Sequence, residues 1–249
     1  MRKEKSFKIL MGLFIIFLAT PFINMSNKKI GVKDSLSANF PTLSDSTEIE
    51  LPENFEYVYK RFKVYNPNID TTTVITFNEV CSYYKLDTTD EMLDLCIGQI
   101  LLESGAKQYY NSGPKDGQLV LSAGGAVGIA QIMPNTAYAN LINYVSIEDA
   151  DSMYTLGATS IDFIKKDVGK SSLVKLSREW LKNETNNLIL WGFIMRRKID
   201  SDKNILRVLV SYNAGTGGML NYVNNGGSLN SHHYIKGIRN KLANAKAKI

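Results

Sequence analysis

The chain has 249 residues, of which 44% are hydrophobic and 21% charged. That is apolar enough for one sizeable core and excludes a wholly disordered chain, while two cysteines exclude a disulfide framework. The formal net charge of +5 owes much to the N-terminus: residues 1–25 hold four of the 29 basic residues and one of the 24 acidic ones, and the remaining +2 gives no argument for nucleic acid as a partner.

Residues 1–25 read as a signal peptide or a membrane anchor. Arg2, Lys3, Lys5 and Lys8 precede an apolar run from Ile9 to Ala19 that continues weakly through Pro21, Phe22 and Ile23. The run is short for a spanning helix of about 20 residues. No small-x-small cleavage site follows it, so removal of the segment and a tether through residues 9–24 both stay open. Either way the chain is expected to be exported to the periplasm or cell envelope. Residues 26–50, rich in Ser, Asn, Lys, Asp and Thr, read as a flexible linker. A folded domain is expected over 51–249.

That domain is expected to be mainly α. A short helix is predicted in Leu51–Tyr65 and another around Thr72–Tyr84, where Phe77, Val80, Cys81 and Tyr84 fall at helical spacing. A third follows the turn at Leu86 and Asp87. Thr88 and Glu91 fit a capping box, and Asp90 adds negative charge to the first turn. The two helices are expected to form an antiparallel hairpin, which leaves Cys81 and Cys96 as either a disulfide or two buried thiols.

From Met92 to Leu102 the third helix is apolar almost all round, which marks a buried helix, and Gly105 stops it. Glu103 in its last turn faces the negative end of the helix dipole and apolar neighbours. Both effects favour the neutral carboxyl and suit a general acid working near neutral pH. The same position also suits a solvated glutamate at a frayed end.

Residues 109–122 are turn-rich, with Gly113-Pro114 and Asp116-Gly117. Gln118 to Leu121 reads as a short strand, so a small β-hairpin is expected between two helices. The small-residue loop Ser122-Ala123-Gly124-Gly125-Ala126-Val127-Gly128 then runs into Gln131-Ile132-Met133-Pro134. Pro134 suits the first turn of a helix through Tyr144. Further helices are expected over Ile147–Val168, Ser172–Leu181, Asn183–Ile199 and Ser231–Ala245. Before the last of these stands Tyr212-Asn213-Ala214-Gly215. Nothing calls for a metal or cofactor: His232 and His233 are the only histidines and belong to no ligand cluster.

Three pieces occur in this order: an apolar helix ending Glu103-Ser104, a glycine-rich loop into Gln131-Ile132-Met133-Pro134, and Tyr212-Asn213-Ala214-Gly215. Together they resemble the catalytic domain of the soluble lytic transglycosylases, glycoside hydrolase family 23, which belongs with goose-type lysozymes in the lysozyme-like superfamily. The resemblance covers roughly residues 70–241. It implies an α+β lysozyme-like fold with the hairpin beside a sugar cleft, Glu103 as the catalytic acid/base, and Ser122, Gln131, Met133, Tyr212 and Asn213 around the glycan. Asn187, Leu188 and Gly192 resemble the family's Asn-x-x-x-Gly-type helix, and Tyr234 a tyrosine near its C-terminus.

The chain departs from the pattern in four ways. Glu103 and Ser122 stand about ten residues further apart than is typical, Ala130 stands where a methionine or larger residue is common, Asn230 stands where a glutamate is common, and the stretch from Ile147 to Ser177 is longer than usual.

The resemblance implies peptidoglycan glycan strands as the partner and no cofactor. It also implies cleavage of the β-1,4 bond after N-acetylmuramic acid with closure of a 1,6-anhydro ring. A muramidase of the same fold and a non-catalytic glycan-binding protein are the alternatives. Partner machinery for wall remodelling, secretion or conjugation stays open.

Overall fold

A computed structural model describes residues 51–110 and 113–249. The expected signal or anchor segment and the expected linker lie outside the described residues. Among the described residues nine α-helices account for most of the fold, and the mainly-α expectation holds. They are α1 (Phe55–Tyr65), α2 (Thr71–Tyr83), α3 (Asp90–Glu103), α4 (Pro134–Asn143), α5 (Ile147–Thr155), α6 (Lys170–Trp180), α7 (Glu184–Ser201), α8 (Ile205–Asn224) and α9 (His233–Lys246). Among the described residues no helix is long and apolar enough to cross a membrane.

The core is built around α7. Leu188 to Met195 are buried on every side of this helix, as expected where apolar residues leave no polar face. Trp191 lies at its centre, stacked on Phe77 of α2, which meets Phe62 of α1 edge-on. Gly192 brings α7 against α2: a Cβ there would fall 2.4 Å from Val80 Cγ1. Gly98 does the same for α3 and α9, where a Cβ would fall 2.7 Å from Ile238 Cγ2.

α2 packs chiefly on α7 and α1, and α3 chiefly on α9, so these two helices share a core without forming the close hairpin expected of them. Cys81 and Cys96 are both free and buried. Burial raises both thiols, that of Cys96 to about 12.

Three local expectations are corrected. Thr89, not Thr88, caps α3: its hydroxyl accepts from the Met92 amide at 3.1 Å, while Thr88 Oγ1 turns to Met92 Sδ. The helix expected over Ile147–Val168 is interrupted at Gly157, whose φ of +93° ends α5 and leaves only a 3-10 turn at Asp162–Lys165 before α6.

The β-hairpin is not formed. Among the described residues there is no strand, only the isolated bridges Tyr109↔Leu119, Leu121↔Val127 and Val127↔Ile132. Left-handed residues at Gly117, Gly125, Gly128 and Gln131 turn the chain every few positions, before any bridge can extend into a ladder.

Candidate functional site

A cavity of about 600 Å³ opens where α3 ends, the 122–133 loop turns and α8 kinks. All six residues singled out by the sequence line it: Glu103, Ser122, Gln131, Met133, Tyr212 and Asn213. Glu103 is the one carboxylate among the lining residues. Glu148, Asp149, Asp151 and Glu184 do not line it, and Glu184 accepts from Thr73 Oγ1.

Glu103 is held at the last residue of α3 and is half-buried. Burial pushes its carboxyl up from the ordinary 4.5 to about 7, and a hydrogen bond from the Tyr234 hydroxyl to Oε1 opposes that rise. Arg197 and Lys198 line the same cavity, yet burial governs the proton affinity of Glu103.

Tyr234 comes from α9 and is itself buried. Burial first, then the neighbouring Glu103 charge, raises its phenol well above the ordinary range, so it stays a donor. The sequence pointed to Tyr234 only as a late tyrosine. Its contact with Glu103 spans 131 residues and depends on how α9 packs against α3, which no local pattern encodes. Replacing Tyr234 by Phe is expected to lower turnover by about tenfold or more and to move the alkaline limb of the pH–rate profile upward. The Phe ring keeps the packing but withdraws the bond that favours the Glu103 carboxylate. An unchanged limb would show that the hydroxyl does not tune Glu103.

The loop opposite Glu103 is held from below by buried amides. Ser104 Oγ donates to the Ile129 carbonyl at 2.7 Å, joining the end of α3 to the loop. Gln108 accepts from the Ile129 amide at 2.7 Å and donates to the Leu181 and Lys182 carbonyls. Asn187 of α7 accepts from the Ala130 amide at 2.9 Å and donates to the Val127 carbonyl at 2.9 Å. Gly128, at φ +74°, lies directly on these two side chains; a Cβ there would fall 2.3 Å from Gln108 Oε1.

Gln131 adopts φ +50°, rare for a residue with a side chain. Its Nε2 bonds the Gly128 and Val120 carbonyls. Strain of this kind is tolerated where the surroundings over-determine it. The sequence missed Ser104, Gln108 and Asn187 as a clamp, although Asn187 stood in the family-like pattern.

The remaining lining residues divide by role. Ser122 Oγ accepts from the Ala126 amide and closes the glycine turn. Met133 precedes Pro134 at the start of α4 and is exposed at the rim. Tyr212 donates its hydroxyl to the Ala130 carbonyl at 2.9 Å, so it braces the loop instead of reaching across to Glu103. Burial and the Glu103 charge raise its phenol far above the ordinary range.

Asn213 is exposed in the cavity. It sits two residues before Gly215, whose φ of +72° and ψ of 161° break α8 into two pieces. Lys198 Nζ is pinned to Ser211 Oγ at 3.0 Å. Burial, reinforced by Arg197, lowers the pKa of Lys198.

Among the described residues no group of His, Cys, Asp and Glu could hold a metal ion. Comparison with protein-family models, curated proteins and solved structures finds no match to the chain.

Proposed function

We propose that the chain is a peptidoglycan lytic transglycosylase with Glu103 as its acid/base, on a lysozyme-like helical domain. The observation that carries the reading is a carboxyl raised to about 7 in a cavity that no second carboxylate lines among the described residues. Ordinary glycosidases use two carboxylates some 5–10 Å apart, one as acid and one as nucleophile or base. One carboxyl suffices when the attacking group belongs to the sugar.

Neutral Glu103 protonates the glycosidic oxygen as the C1–O bond of N-acetylmuramic acid breaks, and the N-acetyl group supports the cationic sugar. Glu103, now a carboxylate, takes the proton from the C6 hydroxyl of the same sugar as its oxygen bonds C1, closing the 1,6-anhydro ring and restoring the neutral acid. Intramolecular attack carries a high effective concentration, so no protein nucleophile is required. Tyr234 steadies the carboxylate between the two proton transfers. Gln131, Met133, Ser122 and Asn213 line the space for the sugar rings, and Tyr212 keeps the loop wall in place. The six residues come from three separated stretches of sequence and meet on one cavity, which also supports the family resemblance.

The test is digestion of purified peptidoglycan with the full-length chain, read by mass spectrometry. Products one water lighter than reducing muropeptides are expected. Reducing ends would replace this reading with a muramidase, in which water attacks, and glycan bound but uncut would replace it with a binding protein.

A further inference from the structure

A second cavity, of about 530 Å³, adjoins the first, and Arg197 lines both. Its lining includes the aromatic Tyr83, Tyr84 and Phe193 and the basic Lys85, Arg196 and Arg197. The two acids in it are already engaged. Asp149 accepts from the amide and hydroxyl of Ser146 in a capping box, and Asp200 pairs with Arg196.

Among the described residues Arg197 has no carboxylate partner. Its guanidinium stacks 3.9 Å above the Tyr144 ring, and its Nε is buried with no hydrogen bond. Arg196 and Arg207, on either side in sequence, both have aspartate partners. A planar fork held against an aromatic ring is oriented in advance for a carboxylate. Lys85, exposed in the lining, adds a second cation without an ion-pair partner among the described residues.

The geometry points to the second cavity as a subsite for the acidic peptide substituent of the glycan, with Arg197 gripping a peptide carboxylate where the two cavities meet. The inference rests on the glycan-cleaving reading of the first cavity. Tyr83, 48% exposed, offers the peptide stem an apolar face beside the cations.

Binding is measured on the full-length Glu103→Gln protein, which holds glycan without turnover. The two probes are a peptidoglycan tetrasaccharide whose peptide stems carry free carboxylates and the methyl ester of the same compound. The free acid is expected to bind about tenfold tighter, with a preference that shrinks as salt rises. Adding Arg197→Gln should erase the preference, and Arg197→Lys should restore part of it. The exposed Lys85→Gln change should halve the preference or more even if Arg197 variants fold poorly.

Equal affinity for acid and ester, a preference that survives both Arg197→Gln and Lys85→Gln, or no binding of either probe would overturn the subsite. Absence of cleavage by the unsubstituted protein is a separate result. It would overturn the catalytic reading while the acid-to-ester ratio still decides the subsite.

Discussion

Replacing Glu103 by Gln is expected to abolish glycan cleavage, by about 10³-fold or more, while making the folded chain more stable at pH 8. The two effects have one cause. The carboxyl is raised to about 7 because burial disfavours its charge. An unfolded glutamate titrates near 4.3. Between those values the folded protein holds a proton that the unfolded chain releases, so unfolding gives up a proton and stability falls as pH rises. The penalty is absent below about pH 4 and complete above about pH 7. A shift from the ordinary value to about 7 corresponds to roughly 2–3 kcal/mol once the partial exposure of Glu103 is allowed for.

Gln cannot ionise, and its carbonyl oxygen still accepts from Tyr234. Glu103→Gln should therefore match the unsubstituted protein in urea unfolding at pH 4 and exceed it by most of that amount at pH 8. Activity of the unsubstituted protein should decline as pH rises through about 7, as the acid is lost. Equal stability of the two proteins at pH 8, or turnover rising through that range, would remove the raised carboxyl and with it the reason to regard Glu103 as an acid.

The sequence carried the site further than it carried the fold between the helices. The eleven positions from Met92 to Leu102 are nearly all apolar, which made a desolvated Glu103 one of two readings beside a solvated, frayed end, and the order of the three motifs chose between them. The break in α8 at Gly215 shows only in the fold, whereas Tyr212 and Asn213 just before it were legible through the Tyr-Asn-Ala-Gly motif. Residues 109–132 were not, because their conformation is decided one residue at a time. Gln118 to Leu121 has strand-like composition, but Gly117 before it and Gly125 and Gly128 after it take positive φ, and each bridge stays isolated. That Gln131 would join them is invisible in sequence: only the bonds from its amide to Gly128 and Val120 make the conformation affordable. The partners of the loop lie far away in the chain. Asn187 reaches Ala130 across 57 residues, and Tyr234 reaches Glu103 across 131. Such contacts follow from the packing of α7 and α9, not from any period within them.

The loop contacts imply the second large effect. Replacing Gly128 by Ala is expected to destabilise the fold by about 3–5 kcal/mol, or roughly 10 °C in melting temperature, and to abolish cleavage. Two penalties add. A left-handed φ of +74° costs an alanine about 1 kcal/mol. The larger part is steric: the new methyl would stand 2.3 Å from Gln108 Oε1, 2.6 Å from its Nε2 and 2.7 Å from Asn187 Nδ2. Neither side chain can retreat cheaply. Both are buried, and between them they satisfy the Ile129 and Ala130 amides and the Val127, Leu181 and Lys182 carbonyls. Displacing either leaves buried polar groups unpaired, at about 1–3 kcal/mol each. It also frees the loop wall that Tyr212 braces across from Glu103.

Gly125→Ala supplies the control. Its φ of +84° is equally left-handed, but a Cβ there meets nothing within 4 Å, so only the conformational cost should appear. A melt in which the two substitutions cost the same would mean that backbone freedom alone explains both glycines, and that the Gln108–Asn187 clamp does not set the geometry of the cavity.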